Sequence, residues 1–141
     1  MTAKEVLGQL ARKDARIESM RERLARYQEL AQGSRSRLRS VPGGGQRRNS
    51  SVEEYVSKIV DLTREVNAQI DDYVDLTRAI EATIDALEDE RMRDLLRWRY
   101  LSNWNWERIS RAIGHEQRQV YRLHALALSA FARAWGADES A

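Results

Sequence analysis

The side chains best suited to specific hydrogen bonding lie close together at the start of the predicted C-terminal helix. Gln117, Arg118, Gln119, Tyr121 and Arg122 all carry hydrogen-bonding groups. Arginine can donate two hydrogen bonds to guanine, glutamine can pair with adenine, and both also reach phosphate oxygens. On a helix, residues four apart such as Arg118 and Arg122 project from the same side. This segment therefore has the chemistry of a helix that reads bases in the major groove.

The surrounding segment, residues 105–131, has the layout of a helix-turn-helix. That motif needs a capping residue, a small residue where the helices cross, a turn residue that tolerates positive φ, and apolar positions that lock the second helix. The matching residues are Asn105, Ser110 or Ala112, Gly114, and Val120 with Leu123. The spacing predicts helices over 106–113 and about 117–134. A preceding helix over 90–101 is expected to begin at an Asp89 cap.

Two longer helices are expected upstream. Apolar residues recur every three or four positions over 3–31 and again over 52–88, the pattern of a coiled-coil-like seam. Gly33 is the expected end of the first helix, and Ser51 with Glu54 matches a capping box for the second. Residues 32–50 are rich in Ser, Gly and Arg, which predicts a basic loop.

These elements predict an all-α fold, with a long antiparallel helical hairpin followed by a compact helix-turn-helix unit. The expected domains are the hairpin at 1–88, the helix-turn-helix domain at 89–135 and a tail at 136–141. The stripe of apolar residues over 52–88 is wider than a two-helix seam needs. We therefore expect the hairpin to support homo-oligomers or to contact RNA polymerase.

Charge is distributed unevenly along the 141 residues. The net charge is −9 over residues 51–90, +5 over residues 32–50 and +4 over residues 91–141. Polyanions bind where basic charge is concentrated. Arg47 and Arg48 in the expected loop, and Arg108 and Arg111 in the first helix of the motif, are therefore predicted to add contacts to DNA phosphates.

Composition argues against most other classes of protein. There is no cysteine and there are two histidines, so no catalytic site, metal site or cofactor site is expected. The triplet Gly43–Gly45 lacks the Lys-Ser/Thr of a phosphate-binding loop. No apolar run is long enough for a membrane span, and a cytoplasmic location in a bacterial cell is expected.

Residues 95–131 resemble the fourth region of sigma-70-type factors. The stretch LLRWRYLSNWNWERISRAIGHEQRQVYRLHALAL carries the short helix, the turn glycine and the V-x-x-L pattern that ends in A-L. The whole chain is similar to phage and prophage late transcription regulators of the RinA/ArpU type. That resemblance implies double-stranded DNA binding, activation of late genes, and groove-reading residues at Gln117, Arg118, Tyr121 and Arg122. Glu116 stands where the pattern usually has Ser or Thr.

Two other functions stay open from the sequence. A small terminase subunit for DNA packaging also joins a helix-turn-helix to an oligomerising hairpin, although its DNA-binding part typically comes first. A helical adaptor could use the acidic helix 52–88 to bind a basic partner such as a polymerase subunit. A ring of eight or more subunits would favour the terminase, whereas a salt-dependent shift with random duplex DNA would count against the adaptor.

Overall fold

A computed structural model describes the backbone of residues 1–40 and 46–140 and the side chains of residues 1–33 and 51–136. Over this part of the chain every regular element is helical, which confirms the all-α class. The elements in chain order are α1 (Ala3–Ser40), α2 (Gln46–Asp85), α3 (Glu90–Leu96), a π-helix (Arg97–Leu101), α4 (Trp106–Ile113) and α5 (Gln117–Ser140).

The chain forms two compact units. The first unit combines Met1–Arg12 with Tyr73–Ala141, and the second unit is Lys13–Asp72. The domain boundary predicted at residue 88 does not coincide with this division. The reason is that Leu7 near the start of α1 and Ile84 near the end of α2 belong to the same buried cluster as Leu95 of α3.

The first unit has a well-shielded apolar core to which every one of its helices contributes. The side chains with no measurable exposure there are Ile80, Ile84, Leu95, Leu96, Ile109, Val120, Ala127 and Phe131. Fully burying an aliphatic or aromatic side chain of this size contributes roughly 1.5–3 kcal/mol. This core fixes α4 and α5, the two helices of the predicted motif.

The second unit has a much smaller core. Met20 of α1 lies with Leu62 and Val66 of α2, and Leu24, Tyr27 and Ile70 pack around them half-buried. Earlier in α2, Val56 and Val60 remain 39% and 43% exposed. Two helices alone cannot surround their apolar stripe, so water reaches its edges.

The predicted ends of the long helices were wrong. α1 continues through Gly33 to Ser40, and α2 begins at Gln46, upstream of the expected cap at Ser51. Glycine inside a helix costs about 1 kcal/mol, which does not stop a helix unless the backbone takes a left-handed turn. Gly33 has no positive φ, and residues just before Ser51 are already helical, so its capping box is not needed.

The turn after α2 comes three residues earlier than predicted, at Asp85. Leu87 leaves the helix and enters the core of the first unit, where it is 7% exposed. The Arg93 guanidinium donates hydrogen bonds to the carbonyls of Leu87 and Glu88. These two carbonyls lie beyond the end of α2 and would otherwise lack a hydrogen-bond donor from the helix.

At the C-terminus, the prediction of a tail from residue 136 was wrong, because the backbone of α5 stays helical to Ser140. Within the described ranges, no helix is both long and apolar enough to cross a membrane.

Candidate nucleic-acid interface

The helix-turn-helix is built locally by the residues that the sequence indicated. The Asn105 side chain accepts a hydrogen bond from the Arg108 amide at 2.8 Å and caps α4. Gly114 ends α4 with φ 77°, and its amide donates to the Ser110 carbonyl at 2.9 Å. The Ser110 hydroxyl donates to the carbonyl of His115, which closes the turn from the other side. These contacts confirm the predicted caps and the predicted turn.

Ser110, rather than Ala112, is the small residue at the turn, because Ser110 is half-buried and Ala112 is exposed. Val120 is fully buried and Leu123 is half-buried against the same core, so both lock α5 as expected. Glu116 begins α5 through its backbone carbonyl, which accepts from the amides of Gln119 and Val120. Its carboxylate caps no amide among the described residues, consistent with the poor capping of glutamate.

The five candidate side chains of α5 share one exposed surface. Gln117, Arg118, Gln119, Tyr121 and Arg122 are all exposed, while Val120 between them faces the core. Arg118 and Arg122 form no ion pair with any described residue. The first two turns of α5 therefore present unpaired cations and amides to solvent.

The other candidate residues are placed differently. Arg108 of α4 is exposed, but its guanidinium lies 3.8 Å from the centre of the Trp104 ring. Arg111 is exposed on the same helix. Arg47 and Arg48 lie outside the residues whose side chains the structure describes. The structure thus groups the α5 residues together and gives Arg108 a packing role as well as its charge.

An aromatic layer supports the base of the motif. Trp98 and Trp104 are stacked with ring centres 5.0 Å apart. The Trp106 ring, at the start of α4, is covered on one face by the Arg99 guanidinium at 4.5 Å and meets Tyr121 edge-on at 5.3 Å. The three tryptophan rings are half-buried around the core, so they extend it towards the exposed Tyr121 of α5.

Two polar side chains within this layer form a pair that the sequence did not indicate. The Tyr100 hydroxyl and His124 Nε2 are 2.8 Å apart, and both residues are half-buried. Burial, together with the positive charges of Lys4 and Arg99, lowers the pKa of His124 to about 4. Burial also raises the pKa of Tyr100, an effect that Arg99 partly opposes. His124 is therefore neutral at pH 7.

Comparisons with family models, curated proteins and solved structures give no match for this chain. Among the described residues, no group of His, Cys, Asp or Glu side chains is arranged to hold a metal ion.

Proposed function

We propose that the chain is a sequence-specific double-stranded DNA-binding protein that acts as a phage-type transcriptional regulator. The observation that carries this proposal is the surface of α5, where five base- and phosphate-binding side chains are exposed around a fully buried Val120. A helix fixed by a rigid core can enter the major groove without losing further conformational freedom. Arg118 and Arg122 would contact base edges, with Gln117, Gln119 and Tyr121 beside them.

We also propose that the protein works as a homo-oligomer formed through α2. Paired half-sites on DNA require two copies of the reading helix. Val56, Val60 and Val74 of α2 are each more than a third exposed, which leaves apolar surface that a second copy could cover. Light scattering after size exclusion should give a dimer, and Val60→Asp should shift the mass towards the monomer. A ring of eight or more copies would instead favour the packaging subunit.

The DNA-binding proposal is tested by removing one exposed arginine from each end of α5. Arg118→Ala should lose roughly 1–3 kcal/mol of binding to the preferred site and relax the base preference at one or two positions. Arg133→Ala is the matched control, because Arg133 is exposed on the same helix but lies four turns away. The preferred site is first selected from random duplexes, and affinities are then measured by fluorescence anisotropy.

Circular dichroism should be unchanged in both variants, since both side chains are exposed. Full affinity and selectivity in Arg118→Ala, Arg122→Ala and Gln117→Ala alike would refute the proposal. A loss of affinity without a change of base preference would assign these side chains to phosphate instead.

A further inference from the structure

A cleft of about 590 Å³ opens in the first unit beside the proposed reading helix. Its walls come from the start of α1, the π-helix, the start of α4 and the second and third turns of α5. Tyr121 belongs both to this wall and to the exposed surface of α5. The cleft is therefore continuous with the surface proposed to meet DNA.

Three cations line the cleft, and none of them forms an ion pair with a described residue. These are Lys4, Arg12 and Arg99. Arg97, two residues from Arg99, is by contrast paired with Asp85 and Asp94. Uncompensated positive charge concentrated in a concavity attracts anions more strongly than the same charge on a convex surface.

The single carboxylate at the cleft is already engaged. Glu5 accepts a hydrogen bond from the Thr2 amide at 3.2 Å, and the Thr2 hydroxyl accepts from the Glu5 amide at 3.2 Å. This reciprocal cap satisfies the start of α1 and directs the carboxylate back along its own helix. Arg12 reaches the Glu5 carbonyl at 3.4 Å rather than the carboxylate. Three cations against one carboxylate leave the lining of the cleft with a net positive charge.

The aromatic layer that supports the motif also fixes one wall of the cleft. Arg99 donates to the Trp104 carbonyl at 3.1 Å and lies over the Trp106 ring, so its guanidinium is fixed before any ligand arrives. Arg99 and Tyr100 both fall in the π-helix, a rare backbone form that is found frequently at functional sites. His124, neutral and bonded to Tyr100, lines the wall without adding charge.

We propose that this cleft binds a phosphate group, with Lys4, Arg12 and Arg99 neutralising its charge and the aromatic wall packing against the sugar or base attached to it. Arginine donors in a fixed fork suit phosphate oxygens. The phosphate has two possible sources, the backbone of a duplex bound by α5 or a free nucleotide. The duplex source rests on the proposed function, whereas the nucleotide source does not.

The test removes two of the cations and compares a charge-matched control. Lys4→Ala/Arg12→Ala takes both from the cleft, and Arg16→Ala/Arg21→Ala removes two exposed arginines from further along α1. Tryptophan emission, which includes Trp106 in the wall, is titrated with adenosine monophosphate and with uncharged adenosine. Duplex affinity is measured for each protein as a function of salt concentration.

If the source is a nucleotide, adenosine monophosphate but not adenosine should change the emission, and the cleft variant should weaken this binding at least tenfold. If the source is the duplex backbone, the cleft variant should lower the salt slope of duplex binding by up to about two. The control variant should change neither result. Equal nucleotide and duplex behaviour in cleft variant, control and wild type would overturn the inference.

The outcomes separate the two proposals. Loss of duplex binding in Arg118→Ala, with a cleft variant that behaves like the wild type, refutes the cleft and leaves DNA reading in place. Nucleotide binding that depends on the cleft, in a protein that binds no duplex, refutes DNA reading and supports the cleft.

Discussion

The two long helices, α1 and α2, run with one sequence periodicity through both units of this protein, but the two units differ in how well they exclude water. The seam of α2 runs through both units with one spacing. Ile84 in the first unit is fully buried, whereas Val56 in the second unit is 39% exposed. In the first unit, α3, α4 and α5 surround the ends of the long helices. In the second unit, α1 and α2 have only each other among the described residues.

This difference shows that a heptad-like pattern indicates which residues face inward and does not indicate how deeply they are buried. Burial depends on the number of helices around the seam. Substitutions outside the core of the first unit should therefore change its free energy of unfolding little, whereas substitutions within the core should change it strongly. The second unit should depend on helix propensity and on whatever covers its exposed valines.

The largest expected contrast comes from placing a carboxylate in each core. Val120→Asp should cost about 3 kcal/mol or more and unfold the first unit, because a fully buried unpaired charge has no route to water. Val66→Asp should cost about 1–2 kcal/mol, because the small core of the second unit lets the side chain turn towards solvent. All four tryptophans lie in the first unit, so tryptophan emission reports on that unit alone.

Thermal melts followed by tryptophan emission report on the first unit, whereas melts followed by circular dichroism report on the helices of both units. Asn67→Asp, which places a carboxylate at an exposed position beside Val66, is the control and should change stability little. If Val66→Asp lowers the tryptophan-detected melting temperature as much as Val120→Asp, the two units unfold as one and the contrast is wrong.

A second difference between the units should appear on acidification, because both histidines lie in the first unit. His124 has a folded pKa of about 4 against 6.5 when unfolded, so between these values the unfolded chain binds more protons. The free energy of unfolding should fall as the pH drops through this window, by up to about 2 kcal/mol, since solvent screens a half-buried ring. Denaturant melts at pH 7 and pH 4.5 measure the change.

The matched variant for this experiment is His124→Gln, which keeps a hydrogen-bonding side chain beside Tyr100. Its loss of stability between pH 7 and pH 4.5 should be smaller than that of the wild type. An identical loss in both proteins would mean that His124 does not carry the effect.

The smallest expected effects on stability come from replacing two glycines by alanine, and they have opposite signs. Gly114→Ala should destabilise the first unit by about 1 kcal/mol, because alanine is strained at φ 77° even though no atom would clash with its Cβ. Gly33→Ala should stabilise α1 by about 0.5–1 kcal/mol, since Gly33 is helical with open space around it. Chemical denaturation of both variants provides the test, and the same sign for both would contradict the assigned backbone roles.

Much of the fold follows from local signals in the sequence. The caps at Asp89 and Asn105 and the turn at Gly114 are confirmed because each depends on a hydrogen bond or a backbone angle within a few residues. The ends of α1 and α2 were wrong because Gly33 and Ser51 are permissive signals that a longer helix can override. The start of α1 and the end of α2 belong to the first unit because of long-range packing, which sequence periodicity does not indicate.

The candidate site was likewise predictable where it depends on local spacing and not where it depends on tertiary packing. The exposure of Arg118 and Arg122 and the burial of Val120 follow from helical spacing. The cleft was not predictable, because Lys4 and His124 are 120 residues apart and meet only through the tertiary fold. The run from Arg97 to Leu101 reads as ordinary helix, and nothing in its composition indicates the wider π-helical turn.

The π-helix also determines how this region tolerates changes in chain length. A π-helical hydrogen bond spans one residue more than an α-helical one, as from the Ser102 amide to the Arg97 carbonyl. Deleting a single codon here would restore the α-helical repeat and rotate the following segment by about 100° about the helix axis. Most surface connections absorb such a deletion, but this one would turn Trp104 and the cap of α4 away from their partners. At this point the number of residues, as well as their identity, determines whether α4 keeps its partners.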